Sequence, residues 1–343
     1  MIELSRNDLV FTFPEVHPDA QLRITFQRTL RIPDDGRTYP LPPGLGSFPL
    51  RHVDDFAKTI PENWITHGGV MFPMYQSEAL WINFNSKYLD RHRTSYPFAV
   101  KIATGKINAV TGETWQYNVN RGPQDYIVVP TQPWLDGYCI KKGIIRQFVA
   151  MPLGSGYSAE EQITGSAEHG GLQVAVFPME RSVFKKRFPK RKLEQLHRNA
   201  MYSPCFSMCE PSPDMGLAPG GRMKQEIFKD PFDFRDWDTG NSNRSFIHLA
   251  NSMVWRSITG ETPPTIPFTS KEYARAGLPW FDYYDDKAKP LNGSEKLNGM
   301  KSVVEMGKVK GDNPLPENES VITDKMIDLR KNLAKDEVRE GIF

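Results

Sequence analysis

The stretch Gln21-Leu-Arg-Ile-Thr-Phe-Gln-Arg-Thr-Leu-Arg-Ile32 decides how the rest of the chain is read. Leu22, Ile24 and Phe26 alternate with Arg23, Thr25 and Gln27, so the two sets fall on opposite faces of an extended chain. An apolar period of two predicts a strand with one buried face. "LVFTF" (9–13) just before it has the same texture. "PDDG" (33–36) supplies a turn with a glycine at its end. "YPLPPGLGSFPL" (39–50) has too many prolines for a central strand and is expected to wrap the core.

Working outward, the pattern repeats. "FAVKIATGKINAVTGETW" (98–115) predicts a hairpin turning near Gly105, with a second turn at Thr111-Gly112. "DYIVVP" (125–130), "GYCIKKGIIRQFVAMPL" (137–153) and "GGLQVAVFPM" (170–179) add further strands. One helical turn is expected at 158–164. From 180 the texture changes: "ERSVFKKRF" and "PKRKLEQLHRNAM" read as helices. Residues 203–243 read as irregular, and 245–260 fits helix or strand. The four rings in "PWFDYY" are too dense to leave in water and predict packing on the core. Residues 287–318 read as a polar connector with one short helical piece. Residues 319–343 read as a C-terminal helix capped by Ser320, with an apolar stripe of Ile322, Met326, Leu329 and Leu333.

The fold class expected is α+β and β-rich: an antiparallel, sandwich-like sheet system with a few helices, near 180–200 and 245–258, and a C-terminal helical extension. The expected domains are one body over 1–286, with a subdivision near 180 as the alternative, then the connector and the terminal helix. Composition agrees. The 343 residues are 39% hydrophobic and 24% charged, with 20 Phe, 12 Tyr and 7 Trp, a balance of globular chains that leans toward pleated structure. The 28 prolines and 26 glycines argue against long helices. A net charge of +2 makes nucleic acid an unlikely main partner. No window is long and apolar enough for a transmembrane helix, and the start lacks the pattern of a signal peptide. With three cysteines, these features predict a reducing, cytoplasmic setting.

The most site-like string is "MPLGSGYSAEEQ" (151–162), a glycine-rich turn between a strand and a helix start. It lacks the Gly-Lys-Ser/Thr of a phosphate loop and the G-x-G-x-x-G spacing. Glu160 and Glu161 in the first helical turn would repel a phosphate. Ser158 with Glu161 three residues on predicts a capping box instead.

Other chemistry is sparser. Cys205 and Cys209 form a C-x₃-C pair that supplies two soft metal ligands, with Cys139 and His197 the remaining candidates; buried structural thiols are the plainer reading. The seven histidines contain none of the usual metal spacings. His67 and His169 each precede a Gly pair ("THGGV", "EHGGL"), which marks either a close backbone approach or an ordinary turn. His67, His169 and Cys205 are the candidates for a catalytic site assembled from distant segments. Asp282, Asp285 and Asp286 read as a solvated acidic patch. Residues 181–198 carry eight Lys/Arg, among them Lys185, Lys186, Arg187, Lys190, Arg191 and Lys192, against Glu194 alone. This basic patch faces either an anionic partner or the protein's own acidic segments.

The strings "GKINAVTGE", "RQFVAMPLGSGYSAEEQITG", "EHGGLQVAVFPM", "MGLAPGGRMKQEIFKDPFDFRDWD" and "AGLPWFDYYDD" resemble those of a bacterial protein family of uncharacterised function, over most of residues 1–300. Members of that group sometimes carry the label integral membrane protein, which the hydropathy of this chain contradicts for helical spans. The resemblance implies that the β-rich body is one recurring unit and brings no catalytic residues. Two functional classes follow from the residues: a non-catalytic binding or structural protein that self-associates through its C-terminal helix, or a cytoplasmic enzyme with a His/Cys site. No cofactor is expected.

Overall fold

A computed structural model describes residues 1–190, 214–283, 288–313, 318–323 and 325–329. The expected helix over 189–200, together with Arg191, Lys192, His197, Cys205, Cys209, Asp285, Asp286 and 330–343, falls largely or wholly outside these residues.

The opening stretch forms the strand Gln21–Thr29, and the side chains of Leu22, Ile24 and Phe26 are fully buried. Each such burial stabilises the fold by roughly 1.5–3 kcal/mol. On the other face, Arg23 reaches Asp8 at 2.7 Å in a part-exposed pair, an interaction worth about 1 kcal/mol at most. The apolar face therefore sets the register. It pairs Leu22 with Phe11 on the strand Asp8–Thr12 and with Ser86 on the strand Ala79–Ser86.

From this pair a single antiparallel path of hydrogen-bonded strands crosses the molecule. It runs Ile2–Ser5, Asp8–Thr12, Gln21–Thr29, Ala79–Ser86, Ile144–Pro152, Asp214–Lys224, Asn243–Asn251, Leu172–Pro178, Phe98–Thr104 and Ile127–Val129. The molecule is thus β-rich, built on a large antiparallel sheet with few helices. Seventeen of the described strands belong to this one connected sheet. Parallel additions are confined to Val70–Met74 on Asn243–Asn251, Thr38–Tyr39 on Asp214–Lys224, and a separate pair, Trp280–Tyr283 with Met326–Leu329.

Several local expectations meet their residues. Gly105 and Gly112 take positive φ at the two turns of 98–115. Helix Ala159–Thr164 begins with the capping box, Ser158 accepting from the Glu161 N–H and Glu161 accepting from the Ser158 N–H. The proline-rich stretch stays at the margin, with Gly44–Ser47 pairing only the end of Gln21–Thr29. Helix Arg181–Arg187 forms where "ERSVFKKRF" was read.

Other segments differ. Residues 214–224, read as irregular, form an eleven-residue strand. Residues 245–258, expected to be helical in the fold, divide into the strand Asn243–Asn251 and the short helix Trp255–Thr259. The period there is ambiguous because both faces of the strand are buried near its end, which removes the alternation. In the expected terminal helix, Met326 and Leu329 lie instead in a strand; partners from 280–283 override the helical spacing. The segment read as a connector carries helices Glu295–Asn298 and Val303–Lys310, and Leu297 and Met300 are buried in the main core.

Candidate functional site

Two histidine clusters stand out, and the sequence pointed to one of them. The strand Asn243–Asn251 is flanked on one side by Val70–Met74 and on the other by Leu172–Pro178. Val70 and Leu172 both sit opposite Ile247. Each is preceded by a His-Gly-Gly triplet, so the register delivers His67 and His169 to the same end of the strand from both sides. The second glycine of each triplet is required. Gly69 and Gly171 have φ of +93° and +55°, and an added Cβ would stand 2.1 Å from the Phe246 carbonyl oxygen and 2.5 Å from that of Ile247. The Gly pairs mark a close backbone approach.

The imidazoles of His67 and His169 are 5.1 Å apart between ring centres, and His67 stacks on Phe246 at 4.6 Å. His248, on the central strand, is buried 6.3 Å from His67. Its Nε2 donates to the Gly68 carbonyl at 3.0 Å, and Trp64 stacks on it at 4.8 Å. Trp64 Nε1 in turn donates to Asp214 at 3.2 Å. Glu160, also buried, accepts the backbone N–H groups of His169 and Gly170. Burial is the first cause of every pKa shift in this group. It lowers His67 and His169, lowers His248 to about 4, and raises Asp214 to about 6. The cluster therefore holds neutral imidazoles beside carboxylates, an arrangement able to exchange protons. Among the described residues no set of three or more His, Cys, Asp or Glu converges as metal ligands. The thiol candidates Cys205 and Cys209 lie outside the described residues. Cys139 is a buried free thiol whose pKa burial pushes up to about 12, which keeps it protonated and unreactive.

The second cluster surrounds the basic helix. Glu180 caps helix Arg181–Arg187 by accepting from the Ser182 and Val183 N–H groups. Phe184, on its inner face, packs against Tyr96 at 4.3 Å, His92 at 4.9 Å and His17 at 5.3 Å. His17 comes from the turn before Gln21–Thr29, and His92 from the turn between Tyr88–Leu89 and Thr94–Ser95. His17 Nδ1 accepts the Asp19 N–H at 3.1 Å, which leaves Nε2 to carry the ring proton. His92 donates from Nδ1 to the Phe188 carbonyl. Both imidazoles are nine-tenths buried, at 6% and 9% exposure.

These rings floor a cleft of about 410 Å³ whose walls are Pro18, Arg181, Lys185, Pro189 and Lys190. Arg181 and Lys185 are four residues apart on the helix and so share its cleft-facing side. No carboxylate is among its described lining residues; Asp19 is engaged by Lys87 at 2.6 Å. Burial lowers the His17 pKa first; Asp19 opposes this, and His92, Arg181 and Lys190 lower it further. The basic patch thus divides. Arg187 turns to Asp236 and lies over Phe232, while Lys185 and Lys190 face the cleft with Arg181. His17 and His92 were missed in the sequence because each is an isolated histidine in a turn with no spacing to any other.

The glycine-rich string of 151–162 is closed on itself. Glu161 accepts the N–H groups of Gly156 at 2.6 Å and Ser158 at 3.0 Å, so the amides that would hold a phosphate are occupied by a carboxylate. Asp282 pairs with Lys224 at 3.1 Å.

No protein-family model, curated protein or solved structure matches this chain. No helix among the described residues is long and apolar enough to cross a membrane.

Proposed function

We propose that this chain is a non-catalytic binding protein for a small phosphate-bearing anion, held in the cleft of His17, His92, Arg181, Lys185 and Lys190. One observation carries the reading: Arg181, Lys185 and Lys190 line one cleft with two imidazoles, and no carboxylate is among its described lining residues. Uncompensated like charges repel, and a dianion removes that repulsion while accepting charge-assisted hydrogen bonds from guanidinium and ammonium groups. The nearly buried His17 imidazole adds pH dependence. An anion favours its charged form, which burial otherwise disfavours, so binding tightens as the pH falls.

The test is calorimetry and thermal melting of the full chain with inorganic phosphate at pH 8, and with sulfate, which stays a dianion, at pH 6 and pH 8, at constant ionic strength. Phosphate binding reduced in Lys185→Gln/Lys190→Gln, and sulfate binding stronger at pH 6, support the reading. A melting temperature that phosphate moves no more than chloride does sinks it.

The reading keeps a reducing, cytoplasmic setting and a small ligand in place of nucleic acid. It also retains self-association, carried by the short edge Met326–Leu329 with Ile322 and Met326 exposed beside it. Light scattering at one protomer mass across concentrations removes that part. A second reading, the enzyme, is favoured by the meeting of His67 and His169 beside Glu160. There the two imidazoles would act as acid and base on a bound substrate. If His67→Gln and His169→Gln leave every hydrolase and transferase activity found for the protein unchanged, that reading fails.

A further inference from the structure

A second basic cleft lies outside both histidine clusters. The strands Ile144–Pro152 and Asp214–Lys224 pair so that Arg146 stands directly opposite Arg222. Like charges facing each other across a ladder are destabilising. Arg146 is nearly buried, and its Nε has no hydrogen-bond partner. Its other nitrogens reach Glu305 at 3.1 Å and Asp34 at 3.7 Å. Around this arginine lies a cleft of about 530 Å³. Lys141, Arg222, Lys301 and Lys308 line it, and Glu305 is the only carboxylate among the lining residues. Among the described residues, five cations against Glu305 and the recessed Asp34 leave an excess of three positive charges. Arg222 also acts on Glu305 electrostatically, while among the described residues Lys141, Lys301 and Lys308 show no ion pair within this cleft.

The volume falls in the range of small-molecule sites, and the cations come from several elements: the end of Gly137–Lys141, the two paired strands, the 298–301 loop and helix Val303–Lys310. A single phosphate would meet only part of this spread. A chain of phosphates would span it, placing charge between Arg146 and Arg222 where the ladder sets them against each other.

We propose that this cleft is a second anion site, and that it takes an oligophosphate group: a diphosphate or triphosphate, free or as part of a larger ligand. Arg146 and Arg222 grip one end and Lys301 and Lys308 the other. Glu305, whose side chain is half exposed, remains in the capping box of its own helix with Ser302. This site is separate in residues from the His17 cleft and does not depend on the function proposed for it.

The experiment is calorimetric titration of the full chain with tripolyphosphate, pyrophosphate and inorganic phosphate. It compares wild type, Arg222→Gln, Lys308→Gln and the first-cleft variant Lys185→Gln/Lys190→Gln. Tripolyphosphate is expected to bind most tightly, and its affinity to fall about tenfold in Arg222→Gln and in Lys308→Gln. The first-cleft variant should keep that affinity, which separates failure of one site from failure of the other. Arg222→Gln relieves the facing charges, so its melting temperature without ligand should equal or exceed that of wild type. If it fails to fold, Lys308→Gln, on an exposed helix, carries the test. Absence of tripolyphosphate binding, or equal affinity in wild type and Lys308→Gln, overturns the proposal.

Discussion

The two histidine clusters contain the same side chain in opposite company. His67, His169 and His248 sit near Glu160 and Asp214, and Glu160 favours the charged form of His169. His17 and His92 sit with Arg181, Lys185 and Lys190, and none of the described residues lining their cleft is acidic. In the first cluster a carboxylate meets a histidine within the fold; in the second the described lining brings bases together without one. A histidine's chemistry is thus set by what the topology brings beside it, and that company comes from distant parts of the chain.

The comparison can be broken most severely at the acid-supplied cluster. Gly69→Ala forces a Cβ against the Phe246 carbonyl at a positive φ. We expect a loss of more than about 3 kcal/mol, read by denaturant unfolding, because both strain and overpacking act at a buried backbone crossing. A variant of wild-type stability would mean that the two triplets do not need their close approach to the central strand.

Next comes the pH response. The folded pKa of His248 is depressed to about 4, so its neutral form contributes stability above pH 6.5 that is lost as the pH falls toward 4. Asp214 acts in the opposite sense. Its folded pKa is raised to about 6, so the charged form destabilises the fold at pH 7 and the penalty disappears on acidification. Asp214→Asn keeps an acceptor for Trp64 and removes that penalty. It should be more stable than wild type at pH 7, on the order of 2 kcal/mol, and lose the advantage by pH 4. Unfolding curves at the two pH values decide this, and equal differences at both would show that Asp214 carries no such burden.

Smaller effects sharpen the contrast. Arg181→Gln should weaken phosphate binding about tenfold, while the His67, His169 and His248 resonances keep their titration midpoints. Movement of those midpoints would show that the clusters are coupled. Ser158→Ala removes a cap and should cost about 1 kcal/mol, without altering phosphate affinity. A drop in affinity would return the glycine-rich loop to consideration.

Legibility in the sequence followed locality. The Gln21–Thr29 strand, the turns at Gly105 and Gly112 and the Ser158 capping box are fixed by neighbours a few residues away, and the string displays them. The Asp214–Lys224 strand was hidden because its glycines and proline look like loop composition. In the fold, Gly220 and Gly221 lack side chains because Val149 and the Pro33 carbonyl lie where a Cβ would be, 2.5 and 2.4 Å away. A partner strand explains that, and a single sequence does not contain the partner. For the same reason the repeated His-Gly-Gly triplet gave two candidate residues but not their meeting. The His17 cleft, assembled from positions 17, 92 and 181–190, left no local trace beyond the run of bases.

The burial of Leu297 and Met300 in the main core, with Val303 beneath Tyr157, has a practical corollary. The piece of chain beginning at 288 is seated as a bound peptide would be, by apolar anchors on short capped helices. Severing the backbone before it should leave two fragments that hold together and can be exchanged. A synthetic 288–313 peptide is then expected to compete for that seat, a competition that size-exclusion of the nicked protein would read.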